Sequence, residues 1–261
     1  MSSNARVAAD LSSFLQLSLP PVAVSFPDVA PDNVPHFDGV VPAGCSFWQQ
    51  AASRTFVTSA QDHALCSIGV HTHHMADPAP SHQSELAAAL QAMSGLDYVR
   101  AEEVAALSVI TREIKYVVYG PLAQFPLDPE VVLLFAHARQ GLIISEAVAR
   151  VDKGVPPAMG RPACAVIPQV LNRDRAALSL GCCGGRAYLD VLSDGTAMWA
   201  FPGNKLDEYC AAIDTLAHAN KTLTLFHTRR REDIEAGKAA DRAPVARTAF
   251  ILRSNLITIW R

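Results

Sequence analysis

The sequence predicts a mixed α/β protein, and two observations lead to this class. The chain has 261 residues, of which 50% are apolar, enough to bury the core of one large or two small domains. Short apolar runs that end at glycine or proline alternate with segments of helical periodicity. Because alternating strands and helices pack as layers around a sheet, this order favours a mixed α/β core.

The first half of the chain opens with an amphipathic helix over residues 4–17, which Pro20 and Pro21 end. Further helices are predicted at 45–52, from Ser81 to Gly95, and at 102–107. Strands are predicted at 22–26, 56–59 and 116–119.

The second half begins with a strand at 131–136 that is nearly all apolar, as expected of a strand covered on both faces. Helices are predicted at 138–148, from Pro162 onward and at 205–219, with strands at 178–180 and 198–201. Residues 222–226 suit a strand or a helix, 229–242 form a polar stretch, and 250–260 form a final apolar element.

Charge and the N-terminus exclude several classes of partner. The net charge is −3, and the cationic run Arg229–Arg231 is followed at once by Glu232 and Asp233, which argues against binding to nucleic acid. No signal peptide or membrane-spanning run is present, so we expect a cytoplasmic protein without a membrane partner. In that reducing compartment the six cysteines are expected to be ligands, catalysts or core residues rather than disulfides.

The most chemically distinctive stretch follows the strand at 178–180, where the chain reads Gly181-Cys182-Cys183-Gly184-Gly185-Arg186. Glycines allow backbone N–H groups to point together at a ligand, so Gly181, Gly184 and Gly185 are predicted to bind a cofactor. The glycine spacing matches neither a P-loop nor a dinucleotide-binding fingerprint, which argues against a nucleotide site.

Four cysteines, at separate element ends near glycines, are the candidate metal ligands: Cys45, Cys66, Cys164 and Cys182. Four thiolates suit a [4Fe-4S] cluster or a structural zinc ion, and buried structural cysteines are the alternative. A redox pair at Cys182 and Cys183 is disfavoured because adjacent cysteines rarely reach disulfide geometry. Cys210 falls on the apolar side of its helix and is predicted to be a core residue.

Histidines crowd the segment around Cys66, at positions 63, 71, 73 and 74. Because His63 and His71 flank Cys66, they are the predicted substrate-facing residues, with solvated loop histidines as the alternative. Arg186 is predicted to hold an anionic substrate or to balance cluster charge, and the alternative is a surface ion pair.

The cysteines also suggest an internal duplication. An apolar strand, a cysteine at a helix start, a second strand and a cysteine near glycine occur in that order from Val22 and again from Val131. A chance likeness of short α/β units is the alternative. We therefore expect a single domain built from two related halves, 18–125 and 126–203, around a cysteine-lined pocket, with a helical extension at 204–261.

The chain resembles an uncharacterised bacterial and archaeal family, domain of unknown function 169. The resemblance rests on the turn at 181–186, on Gly160-Arg161-Pro162-Ala163-Cys164, and on the segments 21–24 and 201–203. The family turn is similar to G-C-x-G-x-R, which implies that Cys182 is the functional cysteine and Cys183 the variable position. The family's recurrent cysteines and its frequency in anaerobes favour the cluster, but the resemblance implies no activity.

We therefore expect an iron-sulfur protein that performs electron transfer or a reductive or lyase-type step on a small molecule. A zinc-dependent hydrolase with Cys and His ligands is a second hypothesis, with Asp62 or His63 as general base. A non-catalytic small-molecule-binding protein is a third. The expected partners are a small-molecule substrate or a redox protein, and a homodimer is a further option.

Overall fold

The computed structural model describes residues 3–187 and 191–237 and confirms the mixed α/β class. Its strands are β1 (Val22–Ser25), β2 (Phe56–Thr58), β3 (Val117–Pro121), β4 (Val131–His137), β5 (Ala158–Met159), β6 (Ala177–Ser179) and β7 (Thr196–Pro202). Its α-helices are α1 (Ser3–Leu15), α2 (Ser46–Ala51), α3 (Ser67–Thr72), α4 (Pro80–Gly95), α5 (Ala101–Ala105), α6 (Ala138–Val151), α7 (Val166–Arg173), α8 (Cys183–Ala187) and α9 (Leu206–Glu235).

Most predicted elements are present, and the differences are short elements near the candidate cysteines. The short α3 and β5 were not predicted, and the glycine turn after Cys182 continues as α8. The ambiguous residues 222–226 belong to α9. The apolar element predicted at 250–260 lies outside the described residues.

The seven strands form one mixed sheet in the order β2-β3-β1-β4-β7-β6-β5. β4 lies at its centre, and residues 131–136 are each at most 2% exposed, as the unbroken apolar run predicted. The chain divides into two compact units, Met1–Asp214 and Thr215–Arg261, and the whole sheet belongs to the first. This division falls eleven residues beyond the predicted start of the C-terminal extension at 204.

The sheet has an internal two-fold arrangement around its central antiparallel pair. Ala23 on β1 lies opposite Val132 on β4, and one residue to either side Val22 meets Leu133 and Val24 meets Val131. Outside this pair, β3 is antiparallel to β1 and β7 is antiparallel to β4. The two registers correspond, because Pro121 of β3 lies opposite Val22 and Pro202 of β7 lies opposite Val131.

The correspondence extends to the third strand and to the chain beyond the prolines. β2 places Phe56 opposite Tyr119, and β6 places Ala177 opposite Ala200, each partner lying two residues before its proline. After those prolines, the N–H groups of Leu122 and Gly203 donate to the carbonyl oxygens of Pro21 and Glu130, each 2.9 Å away. The strands of the predicted halves 18–125 and 126–203 are therefore related by an approximate two-fold axis between Ala23 and Val132.

The two faces of the sheet carry different helices. On one face, alternate side chains of the strands form a core cluster with α2 and α7, and Cys45 and Cys164 pack against that cluster. On α6, which packs on β4 and β7, the Gln140 amide donates to the carbonyl oxygens of Leu15 and Gln16 at 2.9 Å. Within residues 3–187 and 191–237, no helix is long and apolar enough to cross a membrane.

Candidate cysteine site

The four candidate ligands all precede or begin a helical turn. Cys45 immediately precedes α2, Cys66 precedes α3 and Cys182 precedes α8, while Cys164 lies in the 3-10 turn Ala163–Ala165 that leads into α7. Along the chain, the first half has Cys45 between β1 and β2 and Cys66 after β2. The second half has Cys164 between β4 and β6 and Cys182 after β6, so the cysteines occur in the same order in both halves. All four are free thiols.

Ionisation of one of these thiols would raise the pKa of its neighbours, as the causes acting on Cys45, Cys66 and Cys164 show, so the fold brings the four into one neighbourhood. Burial, followed by the charges of Cys66 and Cys182, raises the pKa of the Cys45 thiol to about 12. Burial and the charges of Cys66, Cys45 and Cys182 raise the pKa of Cys164 as well. Burial is also the main cause that raises the pKa of Cys66, with a contribution from Cys182. Ionisation of several of these thiols at once is therefore unfavourable unless a positive charge compensates it.

Hydrogen-bond donors point at the same sulfurs and favour their anionic forms. The N–H of Gly185 donates to Cys182 Sγ over 3.4 Å. Backbone N–H groups at Gly44 and Gly69 lower the pKa of Cys66, and those at Cys45 and Ser46 lower the pKa of Cys45, against the larger effect of burial. The Thr72 hydroxyl donates to the Gly69 carbonyl oxygen at 3.2 Å. Backbone donors are what an anionic sulfur ligand requires when it is removed from water.

Glycines allow the backbone to approach these sulfurs closely. A Cβ atom added at Gly69 would lie 2.8 Å from Cys66 Sγ, and one added at Gly185 would lie 3.3 Å from Cys182 Sγ. At Gly44 an added Cβ would lie 2.9 Å from His63 Nδ1 and 3.6 Å from Cys66 Sγ. Gly44 and Gly69 were not singled out from the sequence, although Gly44 precedes one candidate ligand and Gly69 follows another by three residues.

The predicted glycines 181, 184 and 185 differ in what the structure shows of them. Gly185 supplies the donor to Cys182, Gly184 lies within α8, and Gly181 has a φ of 94° where the chain turns away from β6. The left-handed φ explains the glycine at 181 by backbone conformation alone. Binding of a cofactor by these three glycines stays a prediction.

The structure does not show the predicted cysteine-lined pocket. Among the side chains that it describes, no three of the types His, Cys, Asp and Glu are grouped so that they could hold a single metal ion. Cavities lie elsewhere, one of about 290 Å³ beside β5 and one of about 190 Å³ between α1 and the start of α9. Cys210 lines the second cavity and is 7% exposed, consistent with its prediction as a core residue.

The histidines divide between the interior and the surface. His63 is completely buried, and a Cβ at Gly44 would meet both its ring and Cys66, whereas His71 is exposed. His73 takes the buried position instead, with its ring 6.2 Å from that of His63. Two residues apart on a helix, His71 and His73 point about 200° away from each other, so only one can face the core. The substrate-facing roles predicted for His63 and His71 stay predictions.

The hydrogen bonds of His63 determine its tautomer. The Thr58 hydroxyl donates to the Val117 carbonyl oxygen, so its 3.3 Å contact with His63 Nε2 is one in which the ring nitrogen donates. His63 Nδ1 is then an acceptor, and it has no partner among the described residues. Burial lowers the pKa of His63, with the charges of His73 and His82 adding to the effect, so the ring is neutral near pH 7.

Arg186 and Asp62 both make local structural contacts. The Arg186 guanidinium donates to the carbonyl oxygens of Leu180, Ser193 and Thr196 at 2.6–2.7 Å and so fixes the chain on both sides of the 181–187 segment. Asp62 accepts hydrogen bonds from the N–H and hydroxyl of Ser59 and thereby caps a 3-10 turn. Their proposed roles toward a substrate stay predictions.

Tyr119 is a site residue that the sequence did not reveal. Its side chain is fully buried on β3, and its hydroxyl has no hydrogen-bond partner among the described residues. Burial raises the pKa of this phenol, and the charges of Cys66, Cys164 and Cys45 raise it further. A tyrosine within a buried apolar strand gives no sequence signal of such a neighbourhood.

Comparison with known proteins gives one match. A family model described as Uncharacterised ArCR, domain of unknown function 169, matches residues 10–212, which include the whole sheet and all four candidate ligands. No curated protein and no solved structure shows significant similarity to the chain. The matched range covers well over half of the sequence and confirms the resemblance carried by the turn at 181–186, so the chain belongs to the Uncharacterised ArCR family, domain of unknown function 169.

Proposed function

We propose that this is a cytoplasmic iron-sulfur protein in which Cys45, Cys66, Cys164 and Cys182 bind one [4Fe-4S] cluster. The observation that carries the proposal is the set of four free thiols, which come from four separate turns and lie close enough for ionisation of one to raise the pKa of others. A cluster distributes its protein ligands over four iron atoms, so each thiolate has to reach only its own corner. Ligands from separate turns suit that demand.

The donors around the sulfurs support the same proposal. Backbone N–H groups at Gly44, Gly69 and Gly185 compensate part of the negative charge that four thiolates bring into a buried site. When bound, a cluster with all four cysteine ligands would supply one-electron transfer, either to a redox partner or for a reductive step on a small molecule. A lyase-type step would require one iron to be without a cysteine ligand, so that it could act as a Lewis acid. The protein's own contribution is to hold the thiolates, to donate hydrogen bonds to them and to exclude water.

Anaerobic reconstitution tests the proposal. The wild-type protein is expected to become brown and to contain iron and acid-labile sulfide in equal amounts. Serine at position 45, 66, 164 or 182 should each abolish or cripple retention of the cluster. Cys210→Ser is the matched control, because it changes a buried cysteine outside the site; it should retain the metal while it costs on the order of 1 kcal/mol of stability.

Two results would contradict the proposal. Stoichiometric zinc without sulfide would replace the cluster by the zinc site of the alternative hypothesis. Cluster retention unaffected by Cys164→Ser would remove the four-ligand assignment.

A further inference from the structure

The Tyr119 hydroxyl is a buried polar group without a hydrogen-bond partner in the part of the chain that the structure describes. The side chain is 0% exposed, so bulk water does not supply the missing hydrogen bond. A buried hydroxyl without a partner costs free energy on folding, and such groups usually have a partner in the functional state. The question is what Tyr119 donates to.

The position of the ring restricts the answer. Phe47 stacks on it with ring centroids 5.6 Å apart and planes at 26°, and Phe56, its cross-strand neighbour, lies at 5.7 Å. Phe47 and Phe56 also contact each other, with centroids 5.7 Å apart, so the fully buried phenol belongs to a three-ring cluster and has little freedom to turn toward another part of the core. Its hydroxyl direction is therefore set by the fold.

The same packing brings Tyr119 to the cysteine site. Phe47 lies two residues after Cys45 and also contacts the ring of His63 at 4.8 Å. The His63 ring and Cys66 Sγ both lie close to Gly44, since a Cβ atom added there would be 2.9 Å from His63 Nδ1 and 3.6 Å from Cys66 Sγ. Tyr119 belongs to the core cluster against which Cys45 and Cys164 pack, and the charges of three of the four thiols act on its hydroxyl.

The two-fold arrangement of the sheet shows that this donor is present on one side only. The position on β7 that corresponds to Tyr119 is Ala200. Tyr119 lies two residues before Pro121 and opposite β2, and Ala200 lies two residues before Pro202 and opposite β6. A methyl group donates no hydrogen bond. The hydroxyl is thus an addition of the first half and not a requirement of the shared strand arrangement.

We propose that Tyr119 donates a hydrogen bond to a sulfur of the bound cluster or of its thiolate ligands, and that this bond sets the reduction potential. The proposal rests on the proposed function. Reduction adds negative charge to the sulfurs, so a donated hydrogen bond stabilises the reduced form more than the oxidised form. Tyr119 is in this sense a positioning residue, since it tunes the cluster without binding iron.

The test compares Tyr119→Phe with the wild type after anaerobic reconstitution. The variant should contain the same amount of iron and sulfide, and its midpoint potential, followed by optical or EPR titration, should be lower. Tyr209→Phe is the matched control, because Tyr209 is equally buried but its hydroxyl already donates to Asp152 at 2.7 Å. The control should leave the potential unchanged.

Stability of the metal-free protein provides a second measurement. Because the Tyr119 hydroxyl has no partner among residues 3–187 and 191–237, Tyr119→Phe should not lower the melting temperature, whereas Tyr209→Phe should lower it. Loss of stability in metal-free Tyr119→Phe would show a partner within the protein and overturn the inference. Equal potentials in wild type and Tyr119→Phe would also overturn it while leaving the proposed function intact, and a wild type that takes up no cluster would overturn both.

Discussion

His73 makes the stability of this protein depend on pH in a direction that can be calculated. Its side chain is 2% exposed, neither ring nitrogen has a hydrogen-bond partner among the described residues, and its ring packs near those of Phe26 and His63. Burial lowers its pKa from 6.5 to about 4. The folded protein therefore holds His73 as a neutral ring.

The sign and size of the effect follow from proton linkage. Between pH 6.5 and 4 the unfolded chain binds a proton at His73 and the folded chain does not, so the free energy of unfolding falls as the pH falls through this window. Each pKa unit corresponds to about 1.4 kcal/mol. The difference between 6.5 and about 4 thus corresponds to about 3 kcal/mol, all of it present above pH 6.5 and lost by pH 4.

The measurement is urea unfolding of the metal-free protein between pH 4 and 7.5, for the wild type and His73→Phe. Phenylalanine keeps a ring in place and removes the titrating group, so the wild type should lose about 3 kcal/mol more than the variant over this range. His63, the titratable ring nearest to His73, is present in both proteins. His71→Gln is the control, because His71 is exposed on the same helix, and it should follow the wild type. Equal slopes for the wild type and His73→Phe would refute the argument.

Two further substitutions test the packing around the site and away from it. Gly69→Ala places a methyl group 2.8 Å from Cys66 Sγ, so iron retention after reconstitution should fall strongly, whereas Gly95→Ala, where an added Cβ meets nothing within 4 Å, should retain iron as the wild type does. Retention by Gly69→Ala equal to that of Gly95→Ala would show that Cys66 is not held as described. Tyr209→Phe leaves Asp152 without its 2.7 Å donor and should cost about 1–3 kcal/mol in urea unfolding, and an unchanged midpoint would contradict the buried bond.

The order of elements was predictable because it depends on local signals. Prolines and glycines mark the ends of most strands and helices, and an unbroken apolar run at 131–136 identified the central strand. The misses are short: α3, β5 and α8 have two to six residues, too few for a periodic pattern to appear. In such segments tertiary contacts outweigh local preference.

The candidate ligands were also chosen from local signals, since cysteines near glycines at element ends are visible in the chain. The residues around them were not. The sequence favoured His71 over His73 as a substrate-facing residue, but which of the two is buried depends on the direction in which α3 faces the core, and the structure buries His73 and exposes His71. Arg186 was predicted from its charge, but its three carbonyl acceptors lie six to ten positions away, two in loops and one at the start of β7, and no sequence pattern marks them.

The sequence by itself determined the class of fold, the family and the four thiols that could act together. The register of the two halves about Ala23 and Val132, and the arrival of Tyr119, Thr72 and His63 beside the cysteines, were decided only by the tertiary structure. The physical reason is that strand ends and helix turns are local properties of the chain. Which buried polar groups meet depends instead on how strands separated by tens to more than a hundred residues align in one sheet.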